Sequence, residues 1–298
     1  QLHLTCFGIV MIIDFRIRPP FKSFLSLSMY GQSNPPKNSR HESPFTWDCG
    51  PVPSAEQKSI KLLISEMDEA GIDQAVIMGR QAGSRYGFVL NDDVAELGHS
   101  YPERFHLFGG ICLNDVPAAI DEVERVIGEM GFKGIAVDGG WSDPPVYIDD
   151  ERFYPIYERC QSLGTILSLS MSIFLGPDLS YVEPVRLQHI AASFPDLLIV
   201  VPHAGWPYVM EFLGVAFMYR NVWLAPDFYV YIPGMPGASQ YVEAANFYMA
   251  DRFLFASSYP ERPLKQTVEE FKKLPFRSDV LEKALYKNAQ WILGDRVD

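Results

Sequence analysis

The run Ile60-Lys61-Leu62-Leu63-Ile64-Ser65-Glu66-Met67-Asp68-Glu69-Ala70-Gly71, followed by Gln74-Ala75-Val76-Ile77-Met78, decides the fold. Ile60, Leu63, Ile64 and Met67 recur at helical spacing, which predicts a helix over 55–70 that Gly71 ends; a short apolar strand follows at 74–78. The unit repeats along the chain. Helices over 91–100, 118–130, 151–163, 184–194, 207–219 and 238–249 precede strands over 105–111, 134–137, 166–169, 197–201, 222–225 and 253–256. Two more helices, over 264–274 and 279–293, finish the pattern. With residues 12–15 as the first strand there are eight strands, each apolar on both sides as parallel strands covered by helices must be. The expected class is α/β, a (β/α)8 TIM barrel. A doubly wound sheet is the alternative, but no Gly-rich phosphate turn follows the first strand.

Between the first strand and the first helix lies the stretch 19–53, rich in Pro, Ser and Asn, which reads as an insertion, lid or partner-contacting arm. Residues 1–10 precede Met11 with no recognisable element and read as an extension outside the fold; residues 11–298 form a single barrel domain. The 298 residues are 48% hydrophobic, enough for a large core, and their formal net charge is -12. That charge argues against a basic nucleic-acid surface. The apolar run 6–13 is too short to span a bilayer, so neither a membrane segment nor a signal peptide is expected. The four cysteines, Cys6, Cys49, Cys112 and Cys160, form no Cys-x-x-Cys pair, and reduced thiols in a cytoplasmic protein are the expectation.

In a barrel of this type, chemistry belongs at the carboxyl ends of the strands. The polar residues there are Arg16 and Arg18 on strand one, Asp138 on strand four, Ser168 and Ser170 on strand five, and His203 on strand six. Asp227 follows strand seven, and Ser257, Ser258 and Tyr259 follow strand eight. Arg16 and Arg18, two apart on a strand, share a face. Guanidinium has no lone pair, so the pair cannot bind a cation and suits a carboxylate or phosphate. Trp141 and Trp206 flank strand ends and can line an aromatic pocket; Tyr229 can reach it, while Tyr231 belongs to a loop or subunit contact. A homo-oligomer is compatible with this loop.

The phrase Phe153-Tyr154-Pro155-Ile156-Tyr157-Glu158-Arg159-Cys160, the run Phe194-Pro195-Asp196-Leu197 leading to Pro202-His203-Ala204-Gly205, and Ser257-Ser258-Tyr259-Pro260 followed by Asn288-Ala289 resemble the amidohydrolase-related family. That family includes aminocarboxymuconate-semialdehyde decarboxylases and related hydrolases. The resemblance runs over 11–294 and implies a hydrolase or carboxy-lyase. It also implies a zinc or manganese site: a His-x-His on strand one, a His after strand five, an Asp after strand eight and a catalytic His after strand six. These positions fall on Arg16 and Arg18, Ser170, Ser258 and His203, and only the last matches.

The resulting expectation is a metal-independent enzyme with no cofactor, acting on a small anionic or carboxylated molecule by hydrolysis or non-oxidative decarboxylation. Arg16 and Arg18 would grip the carboxylate or a developing oxyanion. His203 would act as general acid or base, and Asp227 would orient it or activate water. Asp138, Ser170, Tyr229, Ser258 and Tyr259 would fix the substrate. Three alternatives stand beside it. A divalent metal such as zinc could be held by His203, Asp227 and Asp138; the arginines and carboxylates could form a salt-bridged polar plug; or the barrel could bind an anion without catalysis.

Overall fold

The computed structural model describes residues 11–30 and 49–294. The expected extension 1–10, with Cys6, and residues 31–48 of the expected insertion 19–53 lie outside the described residues. Seven parallel strands form one sheet in chain order: β1 (Ile13–Ile17), β2 (Gln74–Met78), β3 (Phe105–Gly110), β4 (Gly134–Val137), β5 (Ile166–Leu169), β6 (Leu198–Pro202) and β7 (Val222–Ala225). Helices connect them, and the arrangement is consistent with a TIM barrel.

Residues 253–256, expected as a regular strand, make only isolated bridges, Leu224 with Phe253 and, just beyond them, Ile17 with Tyr259. They nonetheless reach both sheet edges. Leu254 N donates to Leu224 O at 2.9 Å, Phe15 N donates to Phe255 O at 2.9 Å, and Arg18 N donates to Tyr259 O at 3.1 Å. The ladder stays irregular because Phe255 N turns away to donate to Ala284 O, at 2.9 Å, in the π-helical turn Lys283–Lys287.

Alternation of side chains across each strand divides the core into two layers. Ile13, Phe15, Val76, Met78, Phe108, Ala136, Val200, Trp223 and Leu254 pack together on the inner side of the sheet. Ala75, Ile77, Ile135, Val137, Leu167, Val201 and Leu224 face the helices. In β1 the pairing register shifts between Asp14 and Ile17, so Ile13 and Phe15 lie in the inner layer while Ile17 lies in the outer. Such an irregularity re-aims the side chains that follow it.

The helix expected over 55–70 is two helices, Pro53–Glu56 and Ile60–Ala70. Between them Lys58 adopts φ 51°, and Ser59 caps the second helix by accepting from Leu62 N at 3.3 Å. Among the described residues no helix is long and apolar enough to cross a membrane.

Asn288 Nδ2 donates to Ala250 O at 2.9 Å and to Phe253 O at 2.8 Å, tying the closing helix Asn288–Leu293 to the segment between β7 and β1. Asn288→Ala leaves both carbonyls without this donor and is expected to cost about 1–3 kcal/mol, read as a lower urea midpoint with an unchanged slope. An unchanged midpoint would show that packing alone holds the segment.

Candidate active site

Arg16, Arg18 and Arg80 are only 4%, 1% and 1% exposed, so each buried guanidinium must find anions within the protein. Arg80 Nε donates to Asp138 Oδ2 at 2.8 Å, and Arg18 Nη2 lies 3.5 Å from the same oxygen. Arg16 Nη1 donates to Ser258 Oγ and lies 3.9 Å from Asp227 Oδ2. His203 Nδ1 is 2.8 Å from Asp227 Oδ2, off the line of a well-formed hydrogen bond. The Arg80 guanidinium also sits over the Trp141 ring, 4.4 Å from its centroid, and Trp141 stacks on Tyr86.

The backbone at the strand ends is bent to present these groups. His203, Asp227 and Ser258 adopt φ of 65°, 46° and 58°, the left-handed region that side chains other than Gly rarely enter. Strain of this kind gathers where a site over-determines its geometry. Gly140 allows the loop after β4 to close on the loop after β5, since a Cβ there would lie 2.2 Å from Leu175 O. Below the mouth, Asp14 Oδ1 accepts from Ser257 N at 2.8 Å and from Arg16 N at 3.1 Å, binding β1 to the segment that follows β7.

These elements enclose a cavity of about 700 Å³. Of the residues singled out from sequence, Arg16, His203, Tyr229 and Ser258 border it, as do Trp141 and Trp206. Arg18, Asp138, Ser170, Asp227 and Tyr259 stand behind this wall. Arg18 and Ser170 both act to hold the Asp138 carboxyl, Asp227 backs His203, and the Tyr259 hydroxyl lies 2.7 Å from Ser54 Oγ. Sequence reading missed Arg80, Ser172, Met29 and Glu261, all of which border the cavity. Arg80 had a legible signal: it lies two residues beyond β2, the kind of strand-end position searched on the other strands.

Burial drives the His203 imidazole below its ordinary value, and Arg16 and Arg18 add to this against the pull of Asp227; the balance favours the neutral ring. Burial also pushes Asp138 upward, but Arg80 and Arg18 overcome it and hold the carboxyl well below the usual range. Glu261 moves the other way. Burial raises it, although Arg16, Arg80 and Arg18 oppose the rise. Also lining the cavity, Trp206 stacks on Tyr229 with centroids 5.0 Å apart, and the Tyr229 hydroxyl and Ser172 Oγ lack a well-formed hydrogen bond.

The sequence model described as amidohydrolase matches residues 43–294. Gamma-resorcylate decarboxylase of Polaromonas is 25% identical over 243 residues, 67% of this chain and 73% of that protein. A solved but uncharacterised TIM-barrel protein of Bordetella bronchiseptica is 37% identical, covers 95% of this chain and 98% of that one, and superposes with a TM-score of 0.88. The 5-carboxyvanillate decarboxylase of Novosphingobium aromaticivorans, 19% identical over 95% of both chains with a TM-score of 0.64, was crystallised with manganese and 4-hydroxy-3-methoxy-5-nitrobenzoic acid.

The manganese overturns the expectation that a protein of this kind has no cofactor, because fold relatives carry a divalent ion. The donors described here do not fit such an ion. Among the described residues no three His, Cys, Asp or Glu side chains converge, and Asp138 is engaged by two guanidiniums rather than joined to His203 and Asp227.

Burial lifts Asp14 from 3.8 to about 6 against the hydrogen bonds from Ser257 and Arg16. Its folded value exceeds its unfolded one, so its contribution to stability is fully present below pH 3.8 and is lost as pH rises through about 6. The loss amounts to about 3 kcal/mol. Urea denaturation between pH 4 and 8 should show this slope in the native chain and a flatter one in Asp14→Asn; parallel slopes would contradict it.

Proposed function

That the chain belongs to the amidohydrolase family is the premise from which we propose that it is a carboxy-lyase acting on a small aromatic carboxylate. The observation that carries this reading is that Arg16 and Arg80 line one cavity together with Trp141 and the Trp206–Tyr229 stack. A planar ring suits the aromatic walls, and its carboxylate suits the two guanidiniums. Arg80 Nη1, buried and without a hydrogen-bond partner, is a donor still available to an anion.

In this reading the segment 253–256 fills the eighth strand position of a closed barrel, and the connection after β1 helps cover the mouth, since Met29 borders the cavity. Neutral His203 turns Nδ1 toward Asp227, which leaves Nε2 to accept a proton from a ring hydroxyl and push electron density into the ring. Asp227 holds the imidazole in orientation, Ser258 keeps Arg16 in place, and Asp138 with Ser170 fixes Arg80 and Arg18. Arg18 and Tyr259 brace this arrangement from behind. The relatives named as gamma-resorcylate and 2-amino-3-carboxymuconate-6-semialdehyde decarboxylases give the same direction to the chemistry.

The test is release of CO2 from 2,6-dihydroxybenzoate and 5-carboxyvanillate in buffer supplied with manganese, beside a panel of lactones and esters. Turnover confined to the aromatic acids is expected; turnover confined to the lactones or esters would replace this reading with hydrolysis. His203→Asn should lower kcat by about 100-fold or more with little change in binding, and an unchanged kcat would remove His203 from the chemistry. Arg80→Lys keeps the charge but loses the fork, and should weaken carboxylate binding by roughly tenfold.

A further inference from the structure

Glu261 borders the cavity with Arg16, Arg80, His203 and Ser258, yet the charge pairs so far described do not use it. Its backbone N donates to Ser258 O at 3.2 Å, which folds the chain back over the mouth. Among the described residues no hydrogen bond reaches its carboxyl, although Arg16 and Arg18 from β1, Arg80 from beyond β2 and Asp227 from beyond β7 all act on its charge. His203 from the end of β6 borders the same space.

The local charge count gives this arrangement meaning. Three guanidiniums, on Arg16, Arg18 and Arg80, face the carboxyls of Asp138, Asp227 and Glu261. With all three carboxyls ionised the mouth is neutral. A substrate carboxylate arriving at Arg16 and Arg80 adds a fourth negative charge, and in a buried site Glu261, the one of these three carboxyls that makes no ion pair among the described residues, is the group that gives way by taking up a proton.

We propose that Glu261 is the catalytic acid of this site, protonated as the substrate's carboxylate takes its place as counter-ion to Arg16 and Arg80. This rests on the carboxy-lyase reading. The Glu261 hydroxyl delivers its proton to the ring carbon that bears the carboxylate. The bond from that carbon to the carboxylate then breaks, its electron pair returns to the ring, and CO2 leaves. Glu261 remains as a carboxylate, regains a counter-ion's role, and takes its next proton from water. Acid and base are thereby divided between Glu261, which environment pushes toward its protonated form, and His203, which environment keeps neutral.

Calorimetric binding of benzoate and of 2,6-dihydroxybenzoate at pH 7, in two buffers of different ionisation enthalpy, counts the protons taken up. The native chain should take up about half to one proton per carboxylate bound. His203→Asn should retain the uptake; Glu261→Gln should bind the same acids without it, and its kcat should fall by about 100-fold with KM little changed. Binding by Glu261→Gln itself reports that the variant is folded. Carboxylate binding without proton uptake, or equal uptake by native and Glu261→Gln, would overturn the inference while leaving the carboxy-lyase reading in place. Failure of the native chain to bind either acid would remove both.

Discussion

A guanidinium withdrawn from water needs an anion beside it, and at the mouth of this sheet three such groups are withdrawn together. Guanidinium is in general a fixed cation, so the remaining polar structure is arranged around the buried side chains of Arg16, Arg18 and Arg80. Asp138 answers two of them through one oxygen, while Asp227 stands between Arg16 and His203. The bends at His203, Asp227 and Ser258 then follow as the backbone's accommodation to groups that must meet at fixed distances. Remove the buried cations and little reason remains for the carboxylates to be there.

Most of the fold was legible because parallel strands under helices leave a plain pattern. β2, β4, β5 and β7 begin and end at the residues expected from the sequence pattern. Segment 253–256 was legible as an apolar run but not as an irregular one, because its departure depends on Ala284, a distant helix carbonyl competing for Phe255 N. The break at Lys58 was equally hidden: the helical stripe of Ile60, Leu63, Ile64 and Met67 lies wholly beyond it, and only the Ser59 cap gives a second start.

The site was legible in part for a similar reason. Strand-end position identified Arg16, His203 and Ser258, but which side chains face the cavity and which support them depends on depth. Arg18 obeys the same two-residue spacing as Arg16, yet the register shift in β1 and the pull of Asp138 set it behind the wall. Glu261 was missed because it belongs to no strand end; it comes back to the mouth only through the turn made by Ser258. The resemblance to metal-binding relatives assigns ligand positions to Arg16, Arg18, Ser170 and Ser258, where guanidinium and hydroxyl stand in place of imidazole and carboxylate.

The sequestration of the arginines has a kinetic consequence. With a formal charge of -12, the molecule as a whole repels an approaching anion, while attraction to the buried guanidiniums is felt only near the mouth. Dissolved salt weakens forces acting through solvent over more than roughly 8–10 Å and hardly touches those inside the protein. Raising ionic strength therefore lowers the outer barrier more than it weakens the inner well, so an anionic ligand enters faster in salt, opposite to the usual behaviour of electrostatically steered encounters.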